Sequence, residues 1–370
     1  MSMNLFIIVT SLLKITGILF IVILPMVSYS VYAERRVSAF IQDRPGPNRV
    51  GPEGLFQPIA DSLKLLLKED FTPQGVNHLY YWLAPCLAVM PALITIAVVP
   101  FGSTLFGVPM VIADINVGIL FVFAISSLGV YGIVLAGWAS ESKYPFLGGV
   151  RSSSQMISYE LSLGLAVIPI FMIVGHLRLT DVVEYQIKNG WMIAPFVGDW
   201  GSLRKWLLAI PMVISFVTFM VAIFAETNRL PFDLPEAEQE LAGGYHTEYS
   251  SMKFALFFLG EYAAMITGSA VIVTLFFGGW HFPLPSWNGG FHWALVDGSA
   301  PGWRGVAGGL FNIATFFAKV SALLFFFIWV RWTLPRFRYD QLMRLGWLFF
   351  FEIALVNIFI AAGIMMCLPF

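Results

Sequence analysis

Eight long apolar stretches, separated by polar connections, dominate the hydropathy pattern of this 370-residue chain. Each is long enough, at 1.5 Å per residue, to cross a hydrocarbon core of roughly 30 Å. Inside lipid a segment must satisfy its own backbone hydrogen bonds, which favours helices. We therefore predict an all-α polytopic membrane protein with one membrane domain, 1–370, and spans near 5–31, 80–100, 117–139, 156–175, 206–225, 254–278, 306–330 and 346–367.

A shorter amphipathic pattern stands in the first connection, over residues 55–69. Its apolar and polar side chains fall on opposite faces at helical spacing, Leu55, Ile59, Leu63 and Leu66 against Gln57, Asp61, Lys64 and Lys68. Such asymmetry in a short segment predicts a helix lying in the membrane interface and not crossing it. Two interpretations remain open: the helix rests on lipid, or it covers a cavity.

Composition and charge agree with a membrane protein and predict its orientation. The chain is 58% hydrophobic and 12% charged, and its net charge of −1 offers no basic surface for nucleic acid. The odd-numbered connections carry fourteen Lys and Arg residues and the even-numbered ones carry five. The positive-inside rule then places the odd connections in the cytoplasm and both termini on the opposite, outward-facing side of the membrane.

The cysteines and histidines form no pattern typical of a metal or redox centre. Cys86 and Cys367 are far apart in sequence, and the five histidines are scattered. Structural zinc and iron–sulfur sites need clustered ligands at short spacings. We therefore predict that this chain binds no metal and no cofactor of its own.

The first connection begins with a basic and proline-rich segment. Glu34, Arg35 and Arg36 stand where the first apolar stretch ends, and Arg44 and Arg49 lie in a run stiffened by prolines. A stiff loop fixes the directions of its side chains. These arginines are either positive-inside anchors or contacts to a ligand, and the residues alone leave both readings open.

The fifth connection, 226–250, is acidic. Six carboxylates, Glu226, Asp233, Glu236, Glu238, Glu240 and Glu248, stand against the single cation Arg229. The spacing of Asp233 and Glu236 resembles a capping box and predicts a helix over 234–242. Crowded carboxylates raise one another's pKa, so some of them are candidates for proton exchange near neutral pH. A solvated acidic loop is the alternative.

Several ionisable residues stand near or inside the apolar stretches: Lys14, Asp114, Glu141, Glu160, Glu261, Lys319 and Glu352. Charges in a bilayer are costly and mark a polar path or a partner helix. We expect the deep ammonium groups of Lys14 and Lys319 to have carboxylate partners.

At this point the motifs resemble those of a known family. The resemblance is carried by 226–241 (ETNRLPFDLPEAEQEL), 244–250 (GYHTEYS), 34–36 (ERR), 44–51 (RPGPNRVG) and 338–343 (RYDQLM), and it covers essentially the whole chain. The family is the quinone-cavity membrane subunit of respiratory NADH–quinone oxidoreductase, or complex I. Chance does not explain motifs of this length.

The resemblance implies a quinone passage and a proton-coupling route. The quinone passage would be lined or framed by Glu34, Arg35, Arg36, Asp61, Arg44 and Arg49. Proton coupling would use Glu141, Glu160, Glu226, Asp233, Glu236, Glu238, Glu240, Glu248 and Glu261. We expect replacement of Glu240 by Gln to lower quinone reduction and proton pumping together.

The resemblance also implies partners. These would be the peripheral-arm subunits at the quinone site, small membrane subunits and antiporter-like subunits, together with quinone and lipid. Flavin and iron–sulfur clusters would belong to partner subunits, so this chain would not be catalytic alone.

Three alternatives compete with this reading. A homologous subunit of a membrane-bound hydrogenase shares the acidic loop, but the full first connection and the intact 226–240 run favour the quinone enzyme. In a ferredoxin-fed relative we expect Cys in place of Thr227. A stand-alone ion transporter is disfavoured because the chain shows no internal repeat.

Overall fold

Eight helices of membrane-spanning length and composition make up most of the chain. The computed structural model describes residues 3–194, 203–234, 243–282 and 302–367. Within these ranges the spans, numbered 1 to 8 in chain order, are Val9–Ile41, His78–Val98, Gly118–Ala139, Lys143–Val174, Lys205–Glu226, Ser251–Phe276, Trp303–Thr333 and Tyr339–Cys367. The prediction of an all-α polytopic membrane protein is confirmed.

Several spans are built from consecutive helical segments. Span 1 begins within the α-helix Met3–Thr16 and continues through the π-helix Gly17–Ile23 and the α-helix Leu24–Ile41. Span 3 contains Gly118–Ser126 and Leu128–Ala139. In span 2 the α-helix His78–Thr95 runs into the 3₁₀ turn Ile96–Val98. Span 5 belongs to the α-helix Leu203–Glu226. Span 8 contains Tyr339–Leu345, the π-helix Gly346–Phe350 and Phe351–Cys367.

Shorter elements occupy the connections. The amphipathic helix is Gln57–Leu67, inside the predicted 55–69, and its apolar side chains Leu63 and Leu66 are exposed. A helix that the sequence pattern did not predict, Leu179–Asn189, follows span 4. The strands Thr104–Leu105 and Val108–Pro109 form a small antiparallel hairpin, and 3₁₀ turns lie at Pro52–Gly54 and Gly244–His246.

We call the end of the bundle that carries connections 42–77, 140–142, 227–250 and 334–338 the odd-connection end. The other is the even-connection end, with 99–117, 175–204 and 277–302. Polar contacts join connections at the same end: Arg336 pairs with Asp233 at one, and Arg178 pairs with Asp114 at the other.

Two spans extend well beyond the predicted limits. Span 1 continues to Ile41, so Glu34 and its two arginine neighbours lie on the helix and not at its boundary. Span 4 begins at Lys143, and its polar residues Ser152 and Gln155, which precede the predicted start, are buried. These polar residues resemble a loop in sequence, but the neighbouring elements supply their hydrogen-bond partners in the folded protein.

Span 6 is the most enclosed helix, whereas spans 1 and 8 lie at the periphery. In the most apolar 18-residue segment of each span, 72% of the residues of span 6 are buried, against 11% for span 1 and 17% for span 8. Spans 3 and 6 approach the backbone of span 2 closely at glycines. A Cβ on Gly132 would lie 2.6 Å from the Ala88 nitrogen, and one on Gly260 would lie 2.9 Å from the Ala88 oxygen. Small residues are what such close helix contacts require.

The prediction that Lys14 and Lys319 have carboxylate partners is wrong. The Lys14 ammonium donates to the Val111 carbonyl at 2.8 Å. Lys319 donates to the carbonyls of Phe277, Gly279 and His281. Both cations reach the even-connection end, where the backbone beyond a span leaves carbonyl groups that need donors.

Candidate functional site

The end of span 5 turns sharply and directs the next residues back into the bundle. Asn228 has φ of 50°, the left-handed region that Asn tolerates better than most residues. The amides of Asn228 and Arg229 donate to the carbonyls of Ala225 and Phe224 at 3.3 and 3.1 Å. This pair of bonds closes the helix as a Schellman motif and sets the direction in which the Arg229 side chain leaves.

Span 4 fixes this turn from the side. The fully buried Gln155 amide donates to the carbonyls of Ala225 and Phe232, at 2.8 and 2.7 Å. The Asn228 side-chain oxygen accepts from Ser152 at 3.2 Å. The turn is therefore tied to a rigid helix on both sides of Arg229.

Arg229 enters a buried group of charges drawn from four parts of the chain. Its Nε lies 2.9 Å from a carboxylate oxygen of Glu261, and its Nη1 lies 3.6 Å from Glu34. The second oxygen of Glu34 pairs with Arg331, and the Tyr262 hydroxyl donates to Glu34 at 2.5 Å. We call these five residues, Glu34, Arg229, Glu261, Tyr262 and Arg331, the Arg229 cluster.

The cluster balances its charges in a region largely closed to solvent, with Arg331 at its partly exposed edge. The side chains of Arg229 and Glu34 are 5% and 9% exposed, and two carboxylates face two guanidinium groups. The guanidinium carbon of Arg229 also stacks over the Tyr262 ring at 4.0 Å. Buried charges need partners of this kind, because desolvation would otherwise neutralise or expel them.

Beside the cluster lies a cavity of about 100 Å³, which is room for a few water molecules. It is lined by residues of spans 2 to 6 and of connection 227–250, and none of the described residues that line it comes from span 1 or from 42–77. Its walls are mostly apolar. Its polar lining residues are Thr95, Ser126, Glu226, Thr227, Asn228, Tyr245, Glu261 and Thr267. Glu261 thus contacts the Arg229 cluster and the cavity at once.

A second ion pair holds the continuation of the turn. The buried Asp233 pairs with Arg336 of connection 334–338 at 2.9 Å. The Phe337 amide donates to the Pro231 carbonyl at 3.2 Å, and the Phe337 ring packs against Phe232. Asp233 therefore joins two connections at the odd-connection end.

Comparison with known proteins identifies the family. The family model described as NADH dehydrogenase matches residues 13–362. An NADH-quinone oxidoreductase H subunit of Geobacter metallireducens is 48% identical over 354 residues, which is 95% of each chain. The H subunit of Rhodospirillum centenum is 49% identical over 94% of this chain and 91% of its own, and that of Salinibacter ruber is 48% identical over 92% of both.

The chain belongs to the NADH dehydrogenase family, which includes the H subunits of NADH-quinone oxidoreductase. It is therefore a membrane subunit of an NADH-quinone oxidoreductase, a multi-pass membrane protein that works with other subunits of that complex. The resemblance seen in the sequence motifs is confirmed.

The residues that the resemblance assigned to the quinone passage are divided between the interior and the surface. Glu34 points into the Arg229 cluster, whereas Arg35 turns to the amphipathic helix and pairs with Asp61 at 2.7 Å. Arg36 pairs with Glu53 at 2.8 Å. Arg44 and Arg49 are exposed, and Arg44 donates to the Gln42 side chain. The passage residues of span 1 therefore face two directions.

The residues assigned to proton coupling are also spread out. Glu226 and Glu261 line the cavity, and Glu160 is half-buried on span 4. Glu141 is exposed, and the Glu248 carbonyl accepts from Tyr81. Three further members, Glu236, Glu238 and Glu240, lie outside the described residues, as does most of the helix predicted over 234–242.

Sequence reasoning missed part of the cluster. Arg331 was counted only among the cations of the odd-numbered connections, and Tyr262 was not singled out. The sequence held only a weak signal for these two residues. Tyr262 directly follows Glu261, and Arg331 directly follows the apolar run of span 7. Within the described ranges no group of three or more His, Cys, Asp or Glu residues is arranged to hold a metal ion.

Proposed function

We propose that this chain links quinone reduction to proton movement through the Arg229 cluster. The observation that carries the proposal is that Glu34 and Glu261 share one guanidinium group, at 3.6 and 2.9 Å. The family resemblance assigns Glu34 to the quinone passage and Glu261 to the proton route. The buried cation Arg229 therefore pairs with one residue assigned to the quinone passage and with one assigned to the proton route.

The physical mechanism follows from charge balance in a region of low dielectric. Reduction of a quinone takes two electrons and two protons, and electrons that arrive before protons add negative charge beside span 1. Added negative charge near Glu34 attracts the two guanidinium groups that Glu34 shares with the cluster. Arg229 then offers less positive charge to Glu261, which favours proton binding at the Glu261 carboxyl group.

The cavity gives that proton a route. Glu226 and Glu261 both line it, and their carboxyl groups can bind and release protons. Ser126 of span 3 and Thr267 of span 6 also line the cavity, and their hydroxyl groups can orient water between the carboxyl groups. The direction of net proton transfer would be set by the order of quinone reduction and carboxyl reprotonation.

The wider setting of the proposal follows the resemblance. The quinone would enter from lipid through the helices of this chain and pass the assigned residues of span 1 and the amphipathic helix, and electrons would come from flavin and iron–sulfur clusters of partner subunits. The odd-connection end would face the cytoplasm of a bacterium and both termini its periplasm, with the chain in its inner membrane. Peripheral-arm, small membrane and antiporter-like subunits would be its partners.

The test replaces Glu261 by Gln in the whole complex in membrane vesicles. Gln keeps the shape of the side chain but cannot carry the charge or exchange the proton. We expect NADH–quinone turnover and proton pumping to fall together by at least about tenfold, a modest loss for a positioned proton-transferring group. Glu352→Gln, on an exposed glutamate of span 8, is the matched control.

Reduction of ferricyanide by NADH, which needs no quinone, reports whether each variant complex is assembled. Normal quinone turnover and normal pumping in an assembled Glu261→Gln complex would overturn the proposal. A fall in ferricyanide reduction would instead show a loss of assembly, and the comparison would then be made per assembled complex.

A further inference from the structure

A second buried cation, Lys253, lies in the first turn of span 6 and outside the Arg229 cluster. Its residue is 3% exposed. The ammonium lies 3.1 Å from a carboxylate oxygen of Asp70 and donates to the Thr72 hydroxyl at 3.0 Å. It also lies 4.0 Å from the centre of the Trp82 ring. A lysine whose only role was to orient the chain in the membrane could stay in solvent and would need none of these contacts.

The residues before Lys253 hold the same stretch of the first connection. The Ser250 hydroxyl donates to the Glu69 carbonyl and accepts from the Phe71 amide, both at 3.1 Å. The Ser251 hydroxyl donates to the Leu65 carbonyl at 3.0 Å. Together with Lys253 these bonds fasten residues 65–72 to the start of span 6.

The other end of the amphipathic helix is fastened to span 1. Asp61 of the helix accepts from Arg35 at 2.7 Å and from Gln57 at 3.0 Å. Just before the helix, Glu53 pairs with Arg36. Spans 1 and 6 are joined to each other deeper in the bundle by the Tyr262 bond to Glu34. The helix therefore bridges two spans that also meet beneath it.

Polar bonds, and not apolar packing, hold the helix in place. Of its residues only Pro58 is buried, while Leu63, Leu66 and Leu67 are 53%, 59% and 86% exposed. With so little buried apolar surface, the helix has few contacts to keep its position when one tether is removed.

We infer that Lys253 is a positioning residue for quinone binding, because it sets where the amphipathic helix stands between spans 1 and 6. This inference rests on the proposed function in one respect, that the quinone passes beside the helix and span 1. Lys253 itself lies behind Asp70 and Thr72 and acts through the connection that carries the helix.

The experiment compares Lys253→Met and Lys253→Arg in the assembled complex. Met fills similar space without the charge, and Asp70, whose side chain is 43% exposed, can then be solvated in place. We expect the KM for a long-chain quinone to rise about tenfold with little change in kcat, the pattern of a misplaced binding surface. Arg keeps the charge and can stack on Trp82, so it should restore the KM to within about threefold of wild type.

Hydrogen exchange of residues 57–72 measures the tether itself. We expect faster exchange in Lys253→Met than in wild type or in Lys253→Arg. Lys68→Met, the same change on an exposed lysine of the same connection, should alter neither measurement. Ferricyanide reduction by NADH again normalises for assembly.

The inference stands only if exchange and KM change together. Unchanged exchange, or faster exchange with an unchanged KM, would overturn it. Asp61→Asn separates this failure from failure of the proposed function. If Asp61→Asn raises the quinone KM and Lys253→Met does not, only the role of Lys253 is lost. If neither does, the proposed quinone passage beside the helix fails as well.

Discussion

The two ends of the helix bundle stabilise buried cations in different ways. At the odd-connection end Arg229 lies between the carboxylates of Glu34 and Glu261. At the even-connection end Lys319 donates to three backbone carbonyls, at 2.8, 2.9 and 2.6 Å, and lies 4.6 Å from the centre of the Trp191 ring. Arg229 is buried and Lys319 is partly buried, and the first has charged partners whereas the second has backbone dipoles.

The difference matters for what each end can do. A carboxylate can take up a proton and lose its charge, so the Arg229 cluster can answer a change in nearby charge. Backbone carbonyls keep their dipoles under all conditions, so the partners of Lys319 cannot take up protons as carboxylates do, and Lys319 holds the local backbone in place. It does so just beyond the C-terminus of span 6, where a cation also opposes the negative end of the helix dipole. We therefore expect carboxylate groups to exchange protons at the odd-connection end, and Lys319 to hold the loop backbone in place at the even-connection end.

The largest expected effect comes from breaking the Arg229 cluster. Arg229→Met leaves Glu261 without its guanidinium partner, and losing one member of a buried pair costs about 3–5 kcal/mol. We expect little assembled complex and almost no quinone turnover. Arg229→Lys keeps the charge but cannot reach both carboxylates at once, so it should assemble and turn over about tenfold more slowly.

Ferricyanide reduction and quinone turnover per assembled complex measure these two losses separately. Arg178→Met is the control, because the Arg178 pairs with Asp114 and Asp181 are partly exposed and worth at most about 1 kcal/mol. An Arg229→Met complex with wild-type assembly and turnover would remove the contrast between the two ends.

A smaller effect, of a different kind, is expected from Lys319→Met. Three carbonyls lose a shared donor, at a cost of about 1–3 kcal/mol in total. We expect a lower melting temperature of the detergent-solubilised complex, with quinone turnover per assembled complex unchanged. Lys188→Met, on an exposed lysine of the same end, should leave the melting temperature where it is. A loss of turnover larger than the loss of assembly would show that the even-connection end also takes part in the chemistry.

The smallest effect concerns pH at the same end. Burial, with the nearby Lys319 charge, lowers the pKa of His281 to about 4. Below its ordinary pKa of 6.5 an unfolded His281 binds a proton that the folded one does not, so stability present above 6.5 is lost as pH falls toward 4. We expect the melting temperature to fall by a few degrees more between pH 7 and pH 5 in wild type than in His281→Gln.

Lys319→Met should weaken this pH dependence, because removing the ammonium takes away one of the two causes that lower the pKa of His281. Equal pH slopes in wild type and His281→Gln would mean that His281 does not control stability in this range.

Much of the fold could be predicted from the sequence because the bilayer imposes it. A span needs a long apolar run whatever its neighbours are, so all eight spans were identified before any contact was known. The amphipathic helix was predicted for the same reason, since its two faces repeat at helical spacing. The ends were less accurate. Span 4 begins thirteen residues before its predicted start, because Ser152 and Gln155 find partners across the bundle.

The sequence by itself determined the membrane class, the number of spans and the family, since hydropathy and long motifs are local properties of the chain. Only the tertiary structure decided which charges meet. Glu34 and Tyr262 are 228 positions apart, and no periodicity connects them. Lys14 and Lys319 found carbonyls and not the expected carboxylates, because helix packing places loop backbone beside them. Periodicity states which face of a helix is polar, whereas the identity of its partner depends on how all the helices pack together.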